Sequence, residues 1–244
     1  KIKNYQRSQL VTVTLSNNVG SGSSVANLND GLVYNGVAYG LRVQDKEISL
    51  NVPDVSRVLA IYESLDTSQP TFDNIEFSSS ANVLVNAKIG ENIAGQGSGA
   101  IARVVTNNNS TPSSGGNNML GVVYVNDRKF NVNERAIFEE SNIDTNIESI
   151  NSQPSDGQYN NITNSFYLDK GQREQYYDYS RIVRRSDSYK PSKQLLIVCD
   201  YYDVASNDTG DVFSVLSYGG DRYTNDIPLI GPAKIRATDV LDFR

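Results

Sequence analysis

The 244-residue sequence contains no histidine and no tryptophan, and only one cysteine and one methionine. Without histidine there is no Ser-His or Cys-His nucleophile, no imidazole general base and no imidazole metal ligand. Most enzyme classes open to a 26.8 kDa chain use at least one such group, so the composition points away from catalysis. A single cysteine, Cys199, excludes an internal disulfide, and the chain is expected to fold in a reducing cytoplasm. No apolar run approaches the roughly 20 residues that span a bilayer as a helix. Basic residues are also in the minority: the net charge is −6 and the pI about 4.8, which disfavours general nucleic-acid or anionic-membrane binding.

Hydrophobic residues make up 38% of the chain, and Asn, Ser, Thr, Gly and Tyr fill the gap. Asn, Ser and Gly compete with helical backbone bonding, while Tyr suits a pleated, half-buried surface. Short apolar runs recur between turn residues along the whole length. Leu10–Leu15 and Val58–Tyr62 read as strands, and Asn35-Gly36 between apolar runs reads as a hairpin turn. The pattern predicts an all-β chain with less than about a tenth of its residues helical, built as several small β-sandwich or β-barrel modules in tandem. The expected boundaries are residues 1–80, 81–150 and 151–244. Ile143, Ile147 and Ile150, spaced four and three apart, mark the one short helix candidate. The polar tract from Asn107 to Asn118 reads as an exposed, tolerant loop.

Within the middle module one phrase occurs twice. Ile89-Gly90-Glu91-Asn92-Ile93-Ala94-Gly95 is loosely echoed by Phe130-Asn131-Val132-Asn133-Glu134-Arg135-Ala136-Ile137-Phe138: both copies place an apolar residue, a turn residue, a glutamate and a short strand. Two arms of one small barrel or roll, closed by tight turns, are expected. The glycines Gly95, Gly97 and Gly99 do not form a phosphate loop, because no Lys-Ser/Thr and no helix pattern follow.

The third module carries the most specific text. It includes Gln172-Arg173, Tyr177-Asp178-Tyr179, an apolar strand ending in Asp200-Tyr201, the turn at Tyr218, Ile227-Pro228 and the closing Asp242-Phe243-Arg244. This series, with Gly90-Glu91 before it, resembles a module of virion structural proteins from large contractile-tailed bacteriophages, notably myoviruses of cyanobacteria. The resemblance covers roughly residues 83–244 and implies a tail, baseplate or fibre component. The partners it implies are other virion proteins and copies of the chain itself, with a host-surface glycan as the alternative target of an adhesion module, and the location it implies is the virion. From its first residue, Lys1, and its abrupt end, the chain reads as an excerpt of a longer polypeptide.

Segment 170–193 carries seven basic and three acidic residues, a net charge of +4 that leaves −10 on the rest. Tyrosines interleave with these charges. Tyr and Arg are enriched at binding hot spots, and a basic patch on an acidic chain suits contact with a complementary neighbour rather than nucleic acid. The expected interface residues are Arg173, Tyr176, Tyr177, Tyr179, Arg181, Arg184 and Arg185. Asp200, Asp203, Asn207, Asp208 and Asp211 read as one solvated acidic loop, whose spacing does not match a calcium-binding loop. Glu91 with Glu134, or Glu139 with Glu140, could be offered as a carboxylate pair for glycoside cleavage, but nothing in the sequence sets their separation and paired acids are ordinary surface residues. Cys199 reads as a buried structural thiol. No catalytic residue, metal ligand or cofactor is expected.

Overall fold

The computed structural model describes residues 3–13, 40–65, 70, 72–78, 81–107, 118–152, 159–171, 178–186, 189–204, 217, 229–230 and 235–236. In chain order the strands are β1 (Lys3–Val13), β2 (Glu47–Ser49), β3 (Val55–Ser64), β4 (Asp73–Phe77), β5 (Asn92–Gly95), β6 (Ile101–Asn107), β7 (Asn118–Tyr124) and β8 (Arg135–Phe138). They continue with β9 (Asp144–Ser152), β10 (Tyr159–Asn161), β11 (Phe166–Asp169), β12 (Arg181–Arg184), β13 (Leu195–Val204), β14 (Leu229–Ile230) and β15 (Ile235–Arg236). Helix is 6% of the described residues and includes one turn, α1 (Val83–Asn86), so the protein is all-β as its composition predicts.

Besides the two-stranded pair β14-β15, three larger sheets organise the described residues. One is four-stranded in the order β1-β13-β3-β10, one is three-stranded in the order β11-β12-β2, and the third closes into a six-stranded barrel, β4-β7-β6-β5-β8-β9. Strands from both ends of the sequence share sheets: β1 pairs antiparallel with β13, and β2 pairs antiparallel with β12. The expected serial order of three modules therefore gives way to one sandwich with the barrel inserted between β3 and β10. Long-range strand pairing carries no local signature, whereas turn-bounded runs do, so the strands are readable and their partners are not.

The central strand β13 shows why the layers stack as they do. Leu195 to Asp200 are all buried, because both faces of the sheet are covered. Alternation sends Leu195, Ile197 and Cys199 into a core shared with Ile48, Phe166 and Ile182 of the three-stranded sheet. Leu196 and Val198 point the other way, against Phe72, Val105 and Val123 of the barrel. Each fully buried aliphatic of this kind contributes about 1.5–3 kcal/mol. Cys199 is fully buried, and burial, reinforced by the Asp200 charge, pushes its thiol up to about 12. A thiol reagent at neutral pH should leave the native protein unmodified and label it stoichiometrically in denaturant; rapid labelling without denaturant would contradict this packing.

The barrel core contains Ile75, Ile93, Val104, Leu120, Val122 and Ile147, with Phe77 and Phe138 edge-on at 5.3 Å between centroids. The expected helix at Ile143–Ile150 is instead the turn into β9 and the strand itself. Its periodicity has a specific cause. The pairing of β4 with β9 slips between Glu76↔Ser149 and Phe77↔Ile147, a β-bulge with one extra residue. The bulge puts Ile147 and Ile150, three apart, against the same core, which imitates helical spacing.

The repeated phrase is the signature of an internal two-fold. Equivalent backbone bonds recur at an offset of 43 residues: Gly90 N–H to Val104 C=O and Asn133 N–H to Ile147 C=O are both 2.8 Å. Likewise Gly95 N–H donates to Ala100 C=O and Phe138 N–H to Ile143 C=O, both at 2.9 Å. The β5–β6 and β8–β9 hairpins are thus equivalent, and β5 pairs antiparallel with β8 across the pseudo-axis. The two-arm barrel expected from the phrase is present. Asn35-Gly36, residues 108–117 of the polar loop, and Asn207, Asp208 and Asp211 lie outside the described residues.

Candidate functional site

Three groupings of charged or aromatic side chains stand out, and they do different things. The first is the glutamate pair of the repeated phrase. Gly90 and Asn133 both have positive φ, 85° and 66°, the left-handed turn that Gly and Asn adopt at least cost. Each turn aims the following glutamate back on the chain. Glu91 accepts from the Lys88 N–H at 2.5 Å and Glu134 from the Asn131 N–H at 2.6 Å. Each then reaches across the two-fold. Glu134 accepts from the N–H groups of Gly97 and Ser98, at 3.0 and 2.7 Å, in the turn after β5. Glu91 accepts from the N–H groups of Glu140 and Ser141, at 3.2 and 2.9 Å, in the turn after β8. The two carboxylates form reciprocal clasps, each preceding one arm and closing the other. Burial raises the Glu134 carboxyl, but the N–H groups of Asn131, Ser98 and Gly97 and the Ser98 hydroxyl outweigh it and hold the group below its ordinary value. Glu139 accepts from the Asn92 amide at 2.9 Å, and Glu140 forms an ion pair with Arg7 that, against some burial, keeps its carboxyl low. Every carboxylate weighed for glycoside cleavage is thereby engaged in holding a turn or an ion pair.

The second grouping is the outer face of the three-stranded sheet. Alternation directs Phe166, Leu168 and Ile182 inward and leaves Tyr167, Asp169, Arg181, Glu47 and Ser49 outward. Arg181 Nε donates to Asp169 Oδ2 at 2.9 Å, and its Nη1 lies 3.0 Å from Glu47 Oε2, so one guanidinium stitches all three strands. Arg185 lies over the Tyr167 ring at 5.7 Å and donates from Nε to the Phe166 carbonyl at 3.0 Å. Tyr179 is 57% exposed and Tyr167 46%. With Gly40, Glu47, Ser49, Asp178 and Arg181, Tyr179 lines a shallow open groove of about 150 Å³.

Of the residues read from sequence as an interface, the structure brings Tyr179, Arg181 and Arg185 to this face. Arg184 takes the opposite direction: it is 1% exposed, opposite Phe166 in the ladder, and its Nη1 donates to the Gln44 carbonyl at 3.1 Å, a contact within the chain. Arg173, Tyr176 and Tyr177 lie outside the described residues. Sequence reasoning passed over Tyr167, Glu47 and Asp169. The available signal was alternation in Phe166-Tyr167-Leu168-Asp169, which marks Tyr167 and Asp169 as one face of a half-buried strand.

The third grouping joins the sheet to the barrel. Asp200 is fully buried on β13, which corrects its reading as part of a solvated acidic loop. Period-2 alternation after Leu196 and Val198 turns it to the barrel side. Its Oδ1 accepts from the Ser8 N–H at 2.7 Å, and its Oδ2 from Arg57 Nε at 2.5 Å and the Tyr5 hydroxyl at 3.0 Å. Ser8 has φ 51°, at the register shift between Gln6 and Gln9, so the bulge in β1 is what turns the Ser8 N–H toward the carboxylate. Arg103 of the barrel approaches the same oxygen at 3.9 Å, and Arg7 pairs with Glu140 while crowding Gly90, where a Cβ would collide with it. A charged residue closing an otherwise apolar strand was the sequence signal for this group.

Comparison with known protein families, with characterised proteins and with solved structures finds nothing that matches this chain.

Proposed function

We propose that the chain is a structural component of a bacteriophage virion, in the tail, baseplate or fibre, that acts by protein–protein assembly. The resemblance of residues 83–244 to such proteins supports the reading. The observation that carries it is the outer face of the three-stranded sheet, where Tyr167, Tyr179 and Arg185 are exposed on a strand ladder already fixed by Arg181. Amphipathic rings and guanidinium groups held in place lose little entropy on binding, which is the character of a preorganised contact surface. The shallow groove beside Tyr179 favours a second reading, a host-glycan adhesion module, because an exposed ring flanked by carboxylates and a guanidinium can stack on and hydrogen-bond a sugar.

Particles carrying Tyr167→Ala with Tyr179→Ala separate these readings. Both side chains are about half exposed, so the isolated variant should unfold within about 1 kcal/mol of wild type. Assembly predicts that incorporation into particles falls severalfold. Normal incorporation with lost adsorption to host cells would favour adhesion instead, and normal incorporation with normal adsorption would remove both.

A further inference from the structure

Arg103 is buried to 92% of its side chain, and its Nε is fully enclosed with no hydrogen-bond partner among the described residues. A guanidinium carries five donors, stays protonated and is costly to bury without acceptors. The Asp200 carboxylate already accepts from Ser8, Tyr5 and Arg57, and sits 3.9 Å from Arg103, beyond hydrogen-bond reach. Burial, together with the like charges of Arg57 and Arg7, pushes Arg103 below its ordinary value despite Asp200. Glu140 is committed to Arg7 in a two-pronged pair. The seam therefore gathers the guanidinium groups of Arg7, Arg57 and Arg103 around Asp200 and Glu140, and the close ion pairs there join Arg57 to Asp200 and Arg7 to Glu140, leaving Arg103 at 3.9 Å.

We propose that this seam between the four-stranded sheet and the barrel binds one small inorganic oxyanion, of the phosphate or sulfate type, with Arg103 as its principal ligand and Arg57 at its mouth. Arg57 suits the entrance because its side chain is 44% exposed while its Nε is anchored on Asp200. An oxyanion would supply the acceptor that Arg103 lacks, and charge-assisted bonds to guanidinium are the strong ones. Because Arg103 belongs to β6 and Arg57 to β3, occupancy would tie the inserted barrel to the sheet.

The test titrates the whole chain with sodium phosphate, and separately sodium sulfate, against sodium chloride at constant ionic strength. Calorimetry and the thermal midpoint are read together. The expected result is a saturable one-site heat with a midpoint that rises with occupancy. Arg103→Gln should weaken phosphate binding on the order of tenfold or more, and Arg57→Gln severalfold. Both anions also stabilise proteins by exclusion from their surface, so an unsaturable midpoint rise shared equally by wild type and both variants would overturn the proposal. So would the absence of saturable heat in the wild type. If Arg103→Gln does not fold, the wild-type titration and Arg57→Gln decide it: saturable binding undiminished in Arg57→Gln would also overturn it.

Discussion

Asp200→Ala is expected to destabilise the chain by roughly 3–5 kcal/mol, the scale for removing one partner of a buried charged network. Such a loss is a large fraction of the 5–15 kcal/mol, roughly, that holds a typical domain folded. Asp200 is fully buried, and three donors from two other strands converge on it: the Ser8 N–H and Tyr5 hydroxyl of β1 and Arg57 of β3. The substitution would leave the buried Ser8 N–H unsatisfied, strip Arg57 of its carboxylate and the Tyr5 hydroxyl of one acceptor, and remove the negative charge beside Arg103. Asp200→Asn keeps the shape and one acceptor but not the charge, and should fall between alanine and wild type. Urea unfolding followed by tyrosine fluorescence measures this directly. A cost under about 1 kcal/mol for Asp200→Ala would show that the carboxylate does not organise the joint.

The second large effect is expected at the reciprocal clasps. Glu134→Ala should cost about 3 kcal/mol, because three backbone N–H groups and the Ser98 hydroxyl lose a charged acceptor at once. Glu91→Ala should behave alike, since Glu91 accepts from three backbone N–H groups at the equivalent turns. Each carboxylate closes the arm that the other precedes, so the two losses should be non-additive, the double variant costing less than their sum. The folded value of Glu134 is depressed, so its contribution is complete above the unfolded carboxyl value of about 4.3 and is lost as pH falls through the folded value. Glu140, held low by Arg7, adds in the same direction. Stability of the wild type should therefore decline below about pH 5, and Glu134→Gln should flatten part of that slope while lowering stability at neutral pH. An unchanged slope would remove Glu134 from the acid transition.

These expectations show which parts of the molecule a reader of the sequence can reach. The all-β class was legible because Asn, Gly and Ser punctuate apolar runs throughout the chain. The barrel's duplication was legible at Gly90-Glu91 and Asn133-Glu134, because a left-handed turn followed by a clasping carboxylate needs those residue types in that order. What escaped was whatever depends on pairing between distant segments. Nothing near Lys3–Val13 announces that it lies beside Leu195–Val204, so the sandwich split by an inserted barrel was read as three modules in series. Ile147 and Ile150 misled because a bulge gives a strand the spacing of a helix. Asp200 was grouped with the acids that follow it, although its place in register with Leu196 and Val198 decides its burial. At the outer face of the three-stranded sheet, composition singled out the segment but not the direction of its side chains: Arg181 and Arg184 lie three residues apart, and the pleat sends one to the surface and the other inside.

The proposed function makes the outer face of the three-stranded sheet a contact surface in an assembled particle. Hydroxyl-radical footprinting, comparing the isolated chain with intact particles that contain it, tests this at the level of single side chains. In the isolated chain Tyr167 and Tyr179 are exposed and should oxidise readily, while Tyr62, buried between the sheet and the barrel, should resist. In the particle the account predicts strong protection of Tyr167 and Tyr179 with Tyr62 unchanged. Equal oxidation of Tyr167 and Tyr179 in both states would contradict it.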